Sequence, residues 1–189
     1  MDKKHLIEKV EEFYKFFVPS SREQKSYFAH VDGVRRYALI LADEYHADKE
    51  VVEIAALLHD TGADSGKVHA FKSAEIAEGF LTDLDVDNFL KTKIISAIRN
   101  HSMSQSGETF NEEVPLEDKI IRDADGLSFI ENSYESYLKK GIELHGNIEI
   151  AKKESINKIS GMSKKITTEK GKKIAESLKD KAFAYINNQ

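Results

Sequence analysis

Two adjacent side chains, His59 and Asp60, close the apolar run Ala55-Ala56-Leu57-Leu58. The run reads as the end of a buried helix, with Gly62 expected as its C-cap. An imidazole and a carboxylate are costly to bury without partners. Side by side they are ready ligands for a borderline or hard divalent cation. The pair alone does not separate a metal site from a helix terminus carrying a favourably placed histidine. Further candidates therefore matter. His30 lies in Tyr27-Phe28-Ala29-His30-Val31, and Asp123 and Asp125 lie in Ile120-Ile121-Arg122-Asp123-Ala124-Asp125. All three sit in apolar-periodic segments where a polar group without a partner is unwelcome. His69 and His101 fall between them.

Helical spacing gives these residues directions. His30 precedes Val34 by one turn and Tyr37 and Ala38 by about two, so it points to the same interior. Asp123 and Asp125 are about 200° apart on a helix and cannot both face one ion. Asp125 shares a stripe with Ile121 and Ser128. Asp123 aligns with Lys119 and with Gly126 or Leu127, a mixed stripe.

His30, then His59-Asp60, then the string Asp123-Ala124-Asp125-Gly126-Leu127 resemble the HD-domain superfamily of metal-dependent phosphohydrolases. The likeness runs from about His30 to Leu138. It implies His30, His59, Asp60 and Asp125 as metal ligands, the second aspartate of the D-A-D-x-L string being the ligand. It implies an all-α helical bundle and hydrolysis of a phosphate ester or anhydride, with a nucleotide or similar small phosphorylated metabolite as the expected substrate. Two imidazoles and two carboxylates suit Mn, Mg, Fe, Ni, Co or Zn without choosing among them. His69 and His101 occupy the interval where dinuclear members carry further histidines. Only ten residues separate His69 from His59, which favours one ion, with His69 and His101 lining the pocket to act on phosphate. Asp123 is expected behind the ligands, holding a ligand histidine or a water. Lys67, in the polar loop after His59-Asp60, is a candidate phosphate contact. Arg35 or Arg36 is another, unless the two pair with Asp32 or Glu44. His5, His46 and His145 receive no role.

The elements that must position these groups are helices. Apolar periods predict them over 3–17, 23–45, from 48 to His59-Asp60, from His69 to about Leu81, over 88–101, and from Pro115 to about Lys140. A break is expected over 141–147, then two or three lysine-rich helices to 188. Residues 103–113 form the longest candidate loop and the expected lid. The reading is a single HD domain over 1–189, with a motif-bearing core over about 23–140. The C-terminal helical extension, about 147–189, is expected to serve packing or homo-oligomerisation.

Composition limits the alternatives. The chain has 189 residues and no cysteine, so any metal must be held by His and carboxylate rather than thiolate. Only 2 prolines interrupt helix formation. No apolar run approaches the ~20 residues needed to cross a bilayer. The N-terminal residues are polar, without the apolar core of a signal peptide, so a cytoplasmic address is expected. Net charge is -5, yet from Ala151 onward lysines outnumber acids, ten to four. No aromatics interleave with those lysines, so nucleic acid is not the expected partner. Two rival functions share the scaffold: a nucleotide-sensing module without turnover, and a diiron oxygenase. An intact ligand set argues against the sensor, and the oxygenase needs two irons.

Overall fold

The computed structural model describes residues 2–20, 22–102 and 114–189. Among them are nine α-helices and one 3₁₀ segment: α1 (Lys3–Tyr14), α2 (Gln24–Tyr45), α3 (Lys49–Leu58), the 3₁₀ segment Ala63–Val68, α4 (His69–Asp83), α5 (Asn88–Asn100), α6 (Leu116–Asn132), α7 (Tyr134–His145), α8 (Ile148–Lys165) and α9 (Glu169–Asn187). No strand occurs among these residues, and no helix is long and apolar enough to cross a membrane. The expected lid over 103–113 lies outside the described residues.

Short polar side chains set the helix starts. The Asp48 carboxylate accepts the Glu50 and Val51 amides at the head of α3, and Asp87 accepts Phe89 and Leu90 at the head of α5. Each satisfies amides that have no partner within the helix. Helix α3 is apolar on every face, with Val51 through Leu58 all buried, as suits a central helix. Its one buried acid, Glu53, is neutralised by Arg35, which also holds Glu11. Arg35 is thus spent tying α1, α2 and α3 together, and Arg36 is spent on Glu131. Neither pairs with Asp32 or Glu44.

Helix α2 packs most extensively on α6. Gly33 sits at this crossing, where a Cβ would lie 2.4 Å from Ser128 Oγ and 2.7 Å from Asn132 Nδ2. That hydroxyl donates to the His30 carbonyl at 2.7 Å. The close approach fixes His30 of α2 against Asp125 of α6.

The structure corrects several expected boundaries. Helix α1 ends at Tyr14 rather than Phe17. The helix from Pro115 does not run to Lys140: it stops at Asn132, and α7 begins at Tyr134 and continues through Gly141 to His145. Gly141 is not a break, because it gives Ala151 of α8 room to approach within 3.0 Å of where a Cβ would stand. Gly146, with φ 59°, makes the stop. The C-terminal extension is two helices. The α8–α9 pair packs on α6, and α8 also on α7.

Candidate metal centre

Helix α3 ends at Leu58, and His59, Asp60 and Thr61 follow as a tight turn that satisfies the last carbonyls from within. His59 Nδ1 donates to the Ala56 carbonyl at 2.7 Å, and Thr61 donates to Leu58 through both its amide and its hydroxyl. Gly62 is therefore no C-cap, and its φ is -100°. Its role is close approach. Its amide donates to Ser73 Oγ at 2.9 Å, and a Cβ there would lie 2.6 Å from the Ser73 nitrogen. Helix α4 is thus drawn against the turn.

The same device recurs twice. His69 Nδ1 bonds the Gly66 carbonyl at 3.0 Å, and His101 Nδ1 bonds the Ile98 carbonyl at 2.6 Å. A carbonyl only accepts, so Nδ1 carries the proton in all three rings and Nε2 keeps its lone pair. Those lone pairs converge. His69 Nε2 and His101 Nε2 stand 3.1 Å apart, and His59 Nε2 stands 3.3 Å from His30 Nε2. The carboxylates fill the remaining side. Asp125 Oδ1 is 3.3 Å from His30 Nε2. Asp60 Oδ2 faces His30 and His59 at 3.7 and 3.8 Å, while its Oδ1 faces His69 at 3.9 Å.

The donors form two groups of three, each within 4.8 Å: His30, His59 and Asp125; and Asp60, His69 and His101. Nitrogens bound at about 2.0–2.1 Å to one ion, at right angles, stand about 3 Å apart. The two Nε2 pairs match that separation. Two lone pairs 3.1 Å apart with no proton between them repel unless a cation lies between. The donor set fits a divalent ion, and an arrangement of His and carboxylate without sulfur excludes none of the metals considered above.

Electrostatics keep the donors in their ligating forms. Burial pushes the His59, His69 and His101 pKa values down, favouring neutral rings. Burial opposes ionisation of Asp60, but His59, His30 and Arg22 outweigh it and hold the pKa at about 2. Arg22 Nη1 donates to Asp60 Oδ2 at 3.1 Å. Burial is likewise outweighed at Asp125, where the His30 hydrogen bond and the nearby His30, His59 and His101 hold the carboxyl far below the usual range.

The structure brings His30, His59, Asp60, Asp125, His69 and His101 together, and gives the last two histidines a donor group with Asp60 rather than a place on the wall alone. It does not bring in Asp123 or Lys67. Asp123 is fully buried on the other side of α6, where it accepts the Thr167 and Thr168 amides at 2.9 and 2.8 Å. It holds the α8–α9 link rather than a ligand histidine. Lys67 is exposed on the 3₁₀ segment and does not line the cavity at the cluster.

That cavity, of about 240 Å³, has basic walls that the motif does not include: Arg22, Arg122, Lys158 and Lys165. Arg122 is buried and donates to the Asn100 carbonyl, one residue before His101. Asn100 in turn joins Ser96 in donating to the buried Asp118. The only signal for the two lysines was the basic excess after Ala151, and its periodicity did not say which lysines turn inward.

A helical bundle that gathers histidines and aspartates from five of its segments in this order is that of an HD domain. Residues 27–130, more than half of the chain, match the HD domain family, and the chain belongs to it. The fold is similar to that of Bacillus subtilis YpgQ (TM-score 0.73, 18% identity, covering 100% of this chain and 95% of that one). It is also similar to an HD-superfamily hydrolase from Bacillus thuringiensis (TM-score 0.73, 18% identity, covering 99% and 96%). A structure of YpgQ in complex with ADP aligns at TM-score 0.72 and 16% identity, covering 100% and 95%. At these identities the likeness shows the fold, and it extends beyond residue 130 through α7, α8 and α9. No curated protein matches the sequence.

Proposed function

We propose that this protein is a metal-dependent phosphohydrolase that cleaves a phosphate ester or anhydride of a small phosphorylated metabolite, foremost a nucleotide. One observation carries the reading: imidazole lone pairs and carboxylates converge at the floor of a cavity whose walls are cationic. The floor suits a divalent ion and the walls suit an anion. A divalent ion supplies Lewis acidity toward a phosphoryl oxygen and makes water nucleophilic near neutral pH. His30, His59, Asp60 and Asp125 would hold it. The protein's other groups orient the substrate: Arg122 and the α8 lysines offset phosphate charge, and the Nδ1–carbonyl bonds keep the rings from turning. The bound ADP of YpgQ supports a nucleotide as the first class to try.

A second reading concerns ion number. His69 Nε2 and His101 Nε2, 3.1 Å apart with both Nδ1 atoms committed, would hold a second ion together with Asp60. Phosphate release from a panel of nucleotides, measured with each divalent cation, tests the function. Release with at least one nucleotide is expected, and its absence across the panel would favour the nucleotide-sensing alternative. Metal analysis of the purified protein counts the ions, and two irons per chain would reopen the oxygenase.

A further inference from the structure

The cavity at the cluster adjoins a second one of about 530 Å³, lined in part by Phe129, Ser133 and Tyr137. Arg22, His30, Phe129 and Lys158 border both cavities. Two cations therefore flank the passage between them, Arg22 from the α1–α2 connection and Lys158 from α8. Lys165 follows Lys158 by seven residues, or about two turns, so both lie on one face of α8. Both line the cluster cavity.

Of the lysines of α8 and α9, Lys158 and Lys165 are those that line the cluster cavity among the described residues. Lys152, Lys172 and Lys179 each pair with an acid one turn away. Lys158 has no carboxylate within ion-pair distance among the described residues; its ammonium stands 5.3 Å from the centre of the Phe129 ring. Burial and the neighbouring Lys165 push its pKa down, while Asp125 works the other way. Two like charges directed into one cavity repel, and the repulsion is relieved when an anion enters.

We propose, resting on the phosphohydrolase reading, that α8 is the phosphate-binding wall of the site. Lys165 contacts the phosphoryl group at the ligand cluster, and Lys158 with Arg22 contacts the next phosphoryl group in the passage. The preferred substrate is then a phosphoanhydride with at least two phosphoryl groups. Its organic part lies in the larger cavity against Phe129 and Tyr137. A phosphomonoester places its single phosphoryl group at the cluster and leaves Lys158 without an anion. Both lysines lie outside the segment that carries the family match.

The test uses full-length protein loaded with the divalent ion it retains best, and two uncleavable probes, methylenediphosphonate and methylphosphonate. Calorimetry should show tighter binding of the diphosphonate to wild type. Lys158→Met should weaken the diphosphonate about 10–100-fold, as loss of a charged hydrogen bond does, and leave methylphosphonate and metal affinity unchanged. Lys158→Arg should restore most of the loss, and Lys165→Met should weaken both probes. Equal loss of both probes in Lys158→Met, no loss of either, or no binding of the diphosphonate to wild type would overturn the proposal. Phosphate release by wild type is scored separately. Its absence alongside the expected binding pattern would remove the hydrolase reading and leave the phosphate wall standing.

Discussion

Asp123 and Asp125 stand two residues apart on α6 and serve opposite sides of it. Asp125 lies 3.3 Å from His30 Nε2 at the ligand cluster, whereas Asp123 accepts the Thr168 amide at 2.8 Å at the start of α9. Replacing each by alanine should therefore separate two losses. Asp125→Ala should abolish turnover and most metal affinity. Asp123→Ala should retain metal and lose about 1–3 kcal/mol of stability, since it leaves the Thr167 and Thr168 amides without an acceptor. Urea unfolding and metal titration of both variants check this. An Asp125→Ala protein that binds metal as wild type does would remove Asp125 from the ligand set.

The histidines divide in the same way. His59→Ala should lose metal and activity together while the helical circular dichroism signal is retained. His69→Ala discriminates ion number. With two ions it should lower the bound metal by about half, because His69 belongs to only one donor group. Metal content unchanged with a lower rate would instead leave one ion and a histidine acting on substrate.

Gly33→Ala should damage the site without touching a ligand. The new methyl would meet Ser128 Oγ at 2.4 Å, and that hydroxyl is bound to the His30 carbonyl. Overpacking of this kind costs about 1–3 kcal/mol. Because the crossing sets the spacing of His30 and Asp125, metal affinity should fall as well. Stability lost with metal affinity intact would show that α2 and α6 adjust independently of the cluster.

Asp60 gives a pH dependence with a definite sign. In the metal-free protein burial disfavours its charge, but His59, His30 and Arg22 prevail and its pKa falls from 3.8 to about 2. A carboxyl with a lowered folded-state pKa stabilises the fold fully above the unfolded value, and that contribution is lost as pH falls through the folded value. Denaturation midpoints of wild type and Asp60→Asn, measured with chelator from about pH 5 down to about pH 2, should therefore converge as the pH falls. Parallel curves would mean that Asp60 is not held down by its neighbours.

The all-α class and the inward turn of His30 and Asp125 were legible because each rests on local pattern, while the resemblance to the HD family put His59, Asp60, His69 and His101 in the same pocket. The apolar period of α2 turns His30 inward, and the stripe through Ile121 turns Asp125 inward. What was not legible depends on partners distant in the chain. Asp123 meets Thr167 and Thr168, 44 and 45 residues later, and no spacing announces that. Arg22 meets Asp60 across 38 residues. Gly141 looked like a break because glycine weakens helices, yet its missing side chain serves the contact with Ala151. The inward lysines of α8 resemble their solvated neighbours, since a seven-residue spacing of lysines is common on any basic helix.

The attachment of α8 and α9 has an evolutionary consequence. Asp123 lies within the segment matched to the family, and the residues whose amides donate to it, Thr167 and Thr168, lie beyond it. The terminal hairpin is thus clipped to the ligand-bearing helix at a two-amide turn. A divergent hairpin that kept this turn would dock on the same carboxylate while displaying different side chains over the cavity. Descendants of such a chain can change what they select without disturbing the residues that gather the ion.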